Sequence, residues 1–366
     1  MITITTTSSL SYSFGTILAS VATFLLTLGV SWILYPAWLV RLAERLEWTV
    51  EELSEDGKHS TNKADTTVYP ILSLVIPAYN EQDRIPIMLQ DAHEYLISPK
   101  GIALLQKLQD SRYHSKGERS ELQTPQSFVV EWLIVNDGSN DCTCNAVRRT
   151  LQQIDKSSLT SEKTLHCWKI VSLNRNSGKG AAVKTGMNLA SGIFHLMVDA
   201  DGATEFGVGL QKLVDKLSEA SAYGQSGSST MMVAFGSRAH LQEKATAHRS
   251  FVRTLLMKAF HFFVSLFVSS KIHDTQCGFK LFTKAASNAI FDTLHLQRWA
   301  FDTEVVLLCE QLGIRIIEVG VPWHEVDGSK LSTSKLALAI VSITMLRDMI
   351  CVRLCYTFGI WKIKPS

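Results

Sequence analysis

The stretch Phe194-His195-Leu196-Met197-Val198-Asp199-Ala200-Asp201-Gly202 decides how this chain is read. Its apolar run His195–Val198 reads as a buried strand, and the Asp201-Gly202 dipeptide as the turn that ends it. Two carboxylates two residues apart then stand at the C-terminal tip of the strand, where α/β sheets receive their ligands. Hard oxygen donors at that spacing suit Mg2+ or Mn2+ held jointly with substrate phosphates. Taken alone, the same letters also describe an ordinary Asp-Gly turn.

Outward from this stretch, short apolar runs alternate with helical ones. Strands are expected at Leu72–Pro77, Val129–Asn136, Trp168–Leu173, Phe194–Asp199, Met231–Gly236 and Arg315–Pro322. Helices are expected at Arg84–Ile97, Asp141–Ile154, Gly180–Ala190, Phe206–Leu217 and Asp302–Leu312. Such alternation predicts an α/β fold with a mainly parallel sheet and crossover helices. Lys100–Gln126 and Ser218–Thr230 read as surface insertions, and residues 47–68 as a polar linker.

Three more expected strand ends carry chemistry. Leu74-Val75-Ile76-Pro77 runs into Ala78-Tyr79-Asn80-Glu81, an aromatic face and a carboxylate that suit a base and a ribose; a capping box for the next helix is the plainer reading. Trp132–Val135 runs into Asn136-Asp137-Gly138-Ser139, which also fits an ordinary strand–turn–helix corner. Asn174-Arg175-Asn176-Ser177-Gly178-Lys179-Gly180 opens a helix, where glycines allow close backbone approach and Lys179 favours phosphate. Its spacing is not that of a Walker A loop. Four such tips in chain order carry more weight than any one of them.

Composition limits the alternatives. A net charge of +2 leaves no basic excess for nucleic acid, so no nucleic-acid partner is expected. Seven scattered cysteines with no CxxC pair exclude a zinc ribbon or a disulfide framework. The uncharged segment Phe14–Tyr35, ending at Pro36 among Trp32, Tyr35 and Trp38, is long enough to cross a bilayer. Arg41 and Arg45 follow it, and no Lys or Arg precedes it, which places the N-terminus in the lumen and the remainder in the cytosol. Phe251–Ser270 and Leu336–Cys355 are apolar but carry charges at intervals, as in helices lying on a membrane; a core helix is an equal reading for the first. The expected layout is 1–36 lumenal N-terminus and anchor, 37–70 linker, 71–332 catalytic domain and 333–366 a C-terminal membrane-associated helix.

The four tips, together with Asp199-Ala200-Asp201-Gly202-Ala203-Thr204, resemble the inverting glycosyltransferases of family 2, which have the GT-A fold. Phe235-Gly236-Ser237-Arg238, Asp274-Thr275-Gln276-Cys277-Gly278-Phe279-Lys280-Leu281-Phe282, Arg298-Trp299-Ala300-Phe301-Asp302-Thr303-Glu304 and Glu325-Val326-Asp327-Gly328-Ser329-Lys330-Leu331 extend the resemblance, which covers roughly Leu72 to Trp323. It implies UDP-glucose as donor, dolichyl phosphate as acceptor, Mg2+ or Mn2+ as cofactor, and a single-pass protein of the endoplasmic reticulum membrane. It implies Pro77, Tyr79, Glu81 and Asp137 around the uridine, with Lys179 and Asp199 beside the nucleotide and Asp199 and Asp201 on the metal. Arg238, Arg249 and Lys330 would face phosphate, and Asp302 occupies the place where relatives with hydroxyl acceptors keep a general base. Ala203 stands where mannosyl relatives carry Gln. Gln297-Arg298-Trp299 has the letters but not the spacing of the polymer synthases.

Overall fold

Long runs of Val, Ile, Leu and aromatic residues, covered on both faces, set a central sheet in place. The computed structural model describes residues 22–38, 46–53, 69–114, 127–156, 163–223, 231–239, 272–326 and 335–364. The chain begins with helix α1 (22–38), strands β1 (Trp48–Leu53) and β2 (Leu72–Ala78), helices α2 (Ile85–Ile97) and α3 (Pro99–His114), and strand β3 (Phe128–Asn136). Next come α4 (Thr143–Lys156), β4 (Thr164–Leu173), α5 (Lys179–Leu189), β5 (Phe194–Val198), α6 (Phe206–Tyr223) and β6 (Met232–Ser237). Last are β7 (Phe279–Thr283), α7 (Lys284–Phe291), α8 (Phe301–Gln311), β8 (Arg315–Gly320) and α9 (Lys335–Thr357).

The sheet runs β1-β4-β3-β2-β5-β7-β6-β8. Its centre, β4-β3-β2-β5, is parallel, as is β6 with β8; β1 and β7 run against their neighbours. Strand order reverses at β2: β3 and β4 lie to one side of it and β5 to the other. In an open parallel sheet that reversal leaves a crevice at the strand C-termini. Pro77 lies beyond the last β2–β5 pair, Val75↔Met197, so a residue without an N–H sits where that ladder has already ended.

Period-two alternation along each strand divides two cores. Leu74 and Ile76 of β2 and Trp132 and Ile134 of β3 meet Ile85, Leu89 and Leu210 on one face. Val75, Leu133 and Val135 face Ala182, Val183, Phe301 and Val305 on the other.

All six expected strands and five expected helices are present, with boundaries shifted by a few residues. Three expectations are corrected. The 47–68 linker contains β1, which pairs Trp48 to Leu173 through Leu53 to Trp168, with Arg148 on Glu51 at 2.5 Å. The Lys100–Gln126 insertion is largely α3, which buries Leu104, Leu105 and Leu108 and joins Lys107 to Asp215 at 2.7 Å. The Ser218–Thr230 insertion begins as the last turns of α6, where Ala220 is buried.

Among the described residues no helix is long and apolar enough to cross a membrane. The expected span Phe14–Tyr35 starts outside them. Its described part, in α1, exposes Phe24, Leu25, Leu26, Leu28, Val30 and Trp32. The C-terminal end of α1 meets α9: Ala37 and Cys351 share the second core, and the Arg347 guanidinium lies 5.6 Å from the Trp32 ring and 5.7 Å from that of Tyr35. Phe251–Ser270, Arg249 and Lys330 lie outside the described residues.

Candidate active site

Four strand tips converge on the crevice beside β2. The β2 and β3 tips are knitted together first: the Asn80 N–H donates to Ser139 Oγ at 2.9 Å, the Glu81 N–H to Thr143 Oγ1 at 2.8 Å, and the Asn140 N–H to Asn80 Oδ1 at 2.8 Å. Asn80 takes φ +55°, the left-handed conformation that Asn tolerates best after Gly. Tyr79 stands half-buried at this tip.

Asp137, at the end of β3, is buried, and its carboxylate accepts from Ser177 N at 2.7 Å and Gly178 N at 2.8 Å. Burial raises its pKa; those two N–H groups and the charge of Arg298 oppose the rise. Asp137 therefore holds the glycine turn that opens α5. Gly178 has φ +102°, and a Cβ there would stand 2.6 Å from the Gln297 carbonyl oxygen, so the turn requires Gly.

That turn aims Lys179 at the β5 tip. Its Nζ lies 2.6 Å from Asp199 Oδ1, a buried atom with no other hydrogen-bond partner among the described residues. Burial lowers the Lys179 pKa, but Asp199, Asp302 and Asp201 outweigh it and the group is held charged. Asp199 is pressed from behind by β7: its N–H donates to Gly278 O at 3.0 Å, and a Cβ on Gly278 would lie 2.0 Å from Asp199 Oδ2. Asp201 accepts from Ala203 N at 3.0 Å through Oδ1.

Two further ion pairs line the β6–β7–α8 side. Arg238 grips Asp274 with Nε at 2.8 Å and Nη2 at 2.9 Å and lies 5.4 Å from the Trp323 ring. Burial acts against its charge, but Asp274 raises the pKa well above the ordinary arginine value. Lys280 Nζ lies 2.6 Å from Asp302 Oδ1, with side chains only 1% and 4% exposed. Burial raises the Asp302 pKa, against the pull of Lys280 and Lys179.

The structure thus brings Lys179, Asp199, Asp201, Arg238 and Asp302 into one electrostatic neighbourhood. It gives two residues expected at the uridine other partners: Asp137 binds the glycine turn, and Glu81 accepts both Arg84 Nε at 2.7 Å and Arg84 Nη2 at 2.6 Å. Arg84 stands at the N-cap of α2, three residues after Glu81, a pairing not among the sequence expectations. Gly278, Lys280 and Asp274 lie within a block quoted above, but nothing local announces their contacts, which form across the sheet.

The glycosyl transferase family 2 model matches residues 122–291. The chain is 38% identical to dolichyl-phosphate beta-glucosyltransferase of Dictyostelium discoideum over 296 residues, covering 80% of this chain and 77% of that one. It is 36% identical to the human protein of the same name over 295 residues, covering 81% and 78%. Glucosyl-3-phosphoglycerate synthase from Mycobacterium tuberculosis in complex with UDP aligns with a TM-score of 0.40 at 14% identity, over 77% of this chain and 80% of that one. The α/β architecture, with its mostly parallel sheet between helical layers, is of the GT-A type.

Proposed function

This chain belongs to the dolichyl-phosphate β-glucosyltransferases of glycosyl transferase family 2, and on that premise we propose that it moves glucose from UDP-glucose to dolichyl phosphate with inversion at the crevice beside β2. The observation that carries the site assignment is the Asp199–Asp201 pair at the β5 tip with Lys179 held 2.6 Å from Asp199. Among the described residues no three His, Cys, Asp or Glu side chains gather as a metal cage. Two strand-tip carboxylates suit Mg2+ or Mn2+ shared with a diphosphate. Asp199, whose buried Oδ1 meets no described partner besides the Lys179 ammonium, and Asp201 would hold it. When bound, the metal supplies positive charge for the leaving UDP.

The chain's own residues supply the rest. Lys179 offers a charged donor to the diphosphate oxygens. Asp302 is locked to Lys280 and buried, a poor position from which to take a proton from a hydroxyl. A phosphate acceptor needs no such base, because its oxygen is already anionic near pH 7. That oxygen attacks the anomeric carbon as the bond to UDP breaks on the opposite face. The products are β-linked dolichyl glucosyl phosphate and UDP.

The acceptor is a bilayer lipid, and the exposed apolar face of α1 supports seating at a membrane, as does Ile340 and Ile343 exposure on α9. We assign the chain to the endoplasmic reticulum membrane, anchored through Phe14–Tyr35, with the catalytic domain cytosolic. A donor panel of UDP-glucose and GDP-mannose with dolichyl phosphate in detergent tests the reaction. UDP-glucose turnover with a divalent metal is expected, and turnover with GDP-mannose alone would refute it. Asp201→Ala is expected to remove turnover without altering the circular dichroism spectrum.

A further inference from the structure

The loop between α7 and α8 lies directly on the glycine turn. The Ala181 N–H donates to Gln297 O at 2.9 Å, and a Cβ on Gly180 would stand 2.6 Å from Leu296 O. This loop also carries Trp299, whose ring centroid is 5.9 Å from Lys179 Nζ, and Arg298, whose side chain would meet a Cβ on Gly178 at 3.0 Å. The position of Lys179 therefore depends on where this loop sits.

Lys184 Nζ holds the start of the loop, donating to Leu294 O at 2.6 Å, and Glu304 holds its middle. Glu304, in the first turn of α8, is wholly buried and accepts from Leu296 N at 2.6 Å and His295 N at 2.9 Å. It also accepts from the Tyr356 hydroxyl at 2.8 Å. Tyr356 belongs to the last turn of α9, far along the chain. That helix ends on Gly359 at φ +67°, with Ile360 N donating to Cys355 O at 2.8 Å and Gly359 N to Tyr356 O at 3.3 Å. This pair of bonds is a Schellman closure, which turns the tail back on itself. The reversal lays Trp361 flat on His295, with centroids 4.2 Å apart and planes 3° from parallel. His295 Nδ1 lies 3.1 Å from the Tyr356 oxygen, which closes the cluster.

We propose that the end of α9 and its tail form a latch, in which Tyr356 and Trp361 are positioning residues that set the glycine turn, and with it Lys179, for the donor diphosphate. The proposal rests on the reading that Lys179 faces the donor. A buried carboxylate with this many donors would serve stability on any account. What marks the cluster as more than a staple is that both ends of it converge on one loop, and that loop fixes the turn beneath Lys179.

The test uses the full chain in detergent with UDP and Mn2+ as the calorimetric probe, beside KM values for UDP-glucose and dolichyl phosphate. Tyr356→Phe removes one oxygen, and Trp361→Ala removes the stacked ring. Each is expected to weaken UDP binding and raise the donor KM about tenfold, the scale of a small misplacement of a binding group. The acceptor KM should stay unchanged, and Trp361→Phe, which keeps a ring on His295, should recover most of the loss. If Trp361→Ala does not fold, Tyr356→Phe carries the test. Wild-type affinity for UDP in a folded Tyr356→Phe variant would overturn the latch. So would equal rises in both KM values, which are the mark of a merely structural role. A wild-type chain that binds no UDP would instead overturn the donor reading beneath it.

Discussion

Gly278→Ala is the most discriminating substitution for the strand-tip carboxylates, because it adds one methyl group and no charge. The added Cβ would start 2.0 Å from Asp199 Oδ2, 2.1 Å from Cγ and 2.4 Å from Oδ1. Real Cβ contacts essentially never fall below 3.0 Å, so the carboxylate must retreat by at least the difference, 3.0 − 2.0 = 1.0 Å. The backbone has little freedom to yield instead, since Asp199 N is bonded to Gly278 O at 3.0 Å and the β5–β7 ladder starts at the next pair, Val198↔Phe279. Gly278 has no left-handed φ, so the cost falls on the carboxylate and not on backbone strain. A shift of about 1 Å in a positioned group costs roughly a hundredfold in rate, or about 2.7 kcal/mol at the transition state. Glucosyl transfer should therefore fall about that far, with Mn2+ affinity in the presence of UDP falling alongside and the thermal midpoint little changed. Activity within about twofold of wild type in a folded Gly278→Ala protein would refute the role given to Asp199, since a hundredfold loss is expected.

The remaining expectations concern buried charge. Lys280→Met leaves Asp302 without its partner at 2.6 Å and should destabilise by about 3–5 kcal/mol, seen as a lowered unfolding midpoint. Adding Asp302→Leu should restore much of the loss, and an unchanged midpoint in the single variant would contradict the pairing. Acid should weaken the fold through His93 and His166. Burial lowers their pKa values to about 4 and about 3, with His93 adding to the shift of His166. Their ordinary value is 6.5, so the unfolded chain takes up protons first as pH falls. Stability present above 6.5 is lost on the way down towards those lower values, by up to about 1.4 kcal/mol per pH unit for each histidine. The Trp132 indole donates to His166 Nδ1 at 3.0 Å, which requires that nitrogen to be unprotonated. Unfolding midpoints between pH 7 and 5 measure this, and His93→Phe should flatten the slope.

The central strands could be read from sequence because burial on both faces forces near-continuous apolar runs, as in Leu72–Ile76 and Trp132–Val135. β1 could not, since Trp-Thr-Val-Glu-Glu-Leu lies at the sheet edge, mostly exposed, and takes its register from β4. α3 is similar: its few buried leucines are outnumbered by Lys, Gln and Asp that face water or Asp215. β7 was hidden inside a block read only as a motif, and α7, just beyond that block, had no expected element assigned to it. In the site, residues at strand tips were visible because chain direction alone places them at the crevice. Their partners were not, because Ser177 N on Asp137, Lys280 on Asp302 and Gly278 against Asp199 are set by the order of strands and helices in space. A carboxylate at a tip marks the crevice but does not say whether it faces a ligand or holds the protein's own backbone.

Under the proposed reading, the charges around the crevice make the turn at Lys179 the point on which donor binding depends. Arg238 meets Asp274 through two nitrogens, Lys280 meets a carboxylate as buried as itself, and Lys179 meets Asp199 by one contact at 2.6 Å. Each cation is matched by an acid, so a diphosphate entering the crevice must draw one of them away. Opening the Arg238 pair breaks a bidentate contact, and opening the Lys280 pair strands a buried charge, which is costly. Lys179 and Asp199 keep 17% and 33% of their side chains in solvent, against 25% and 4% for Arg238 and Asp274, so Asp199 is the carboxylate that water can best reach once its cation leaves. Under the proposed reading, Lys179 is then the cation that turns from carboxylate to phosphate. A single mobile ammonium on a flexible stem is only as well aimed as the backbone beneath it. That backbone is fixed by Asp137 from β3 and by the α7–α8 loop from above, so substitutions at either support should register in donor binding while the strand-tip carboxylates stay in place.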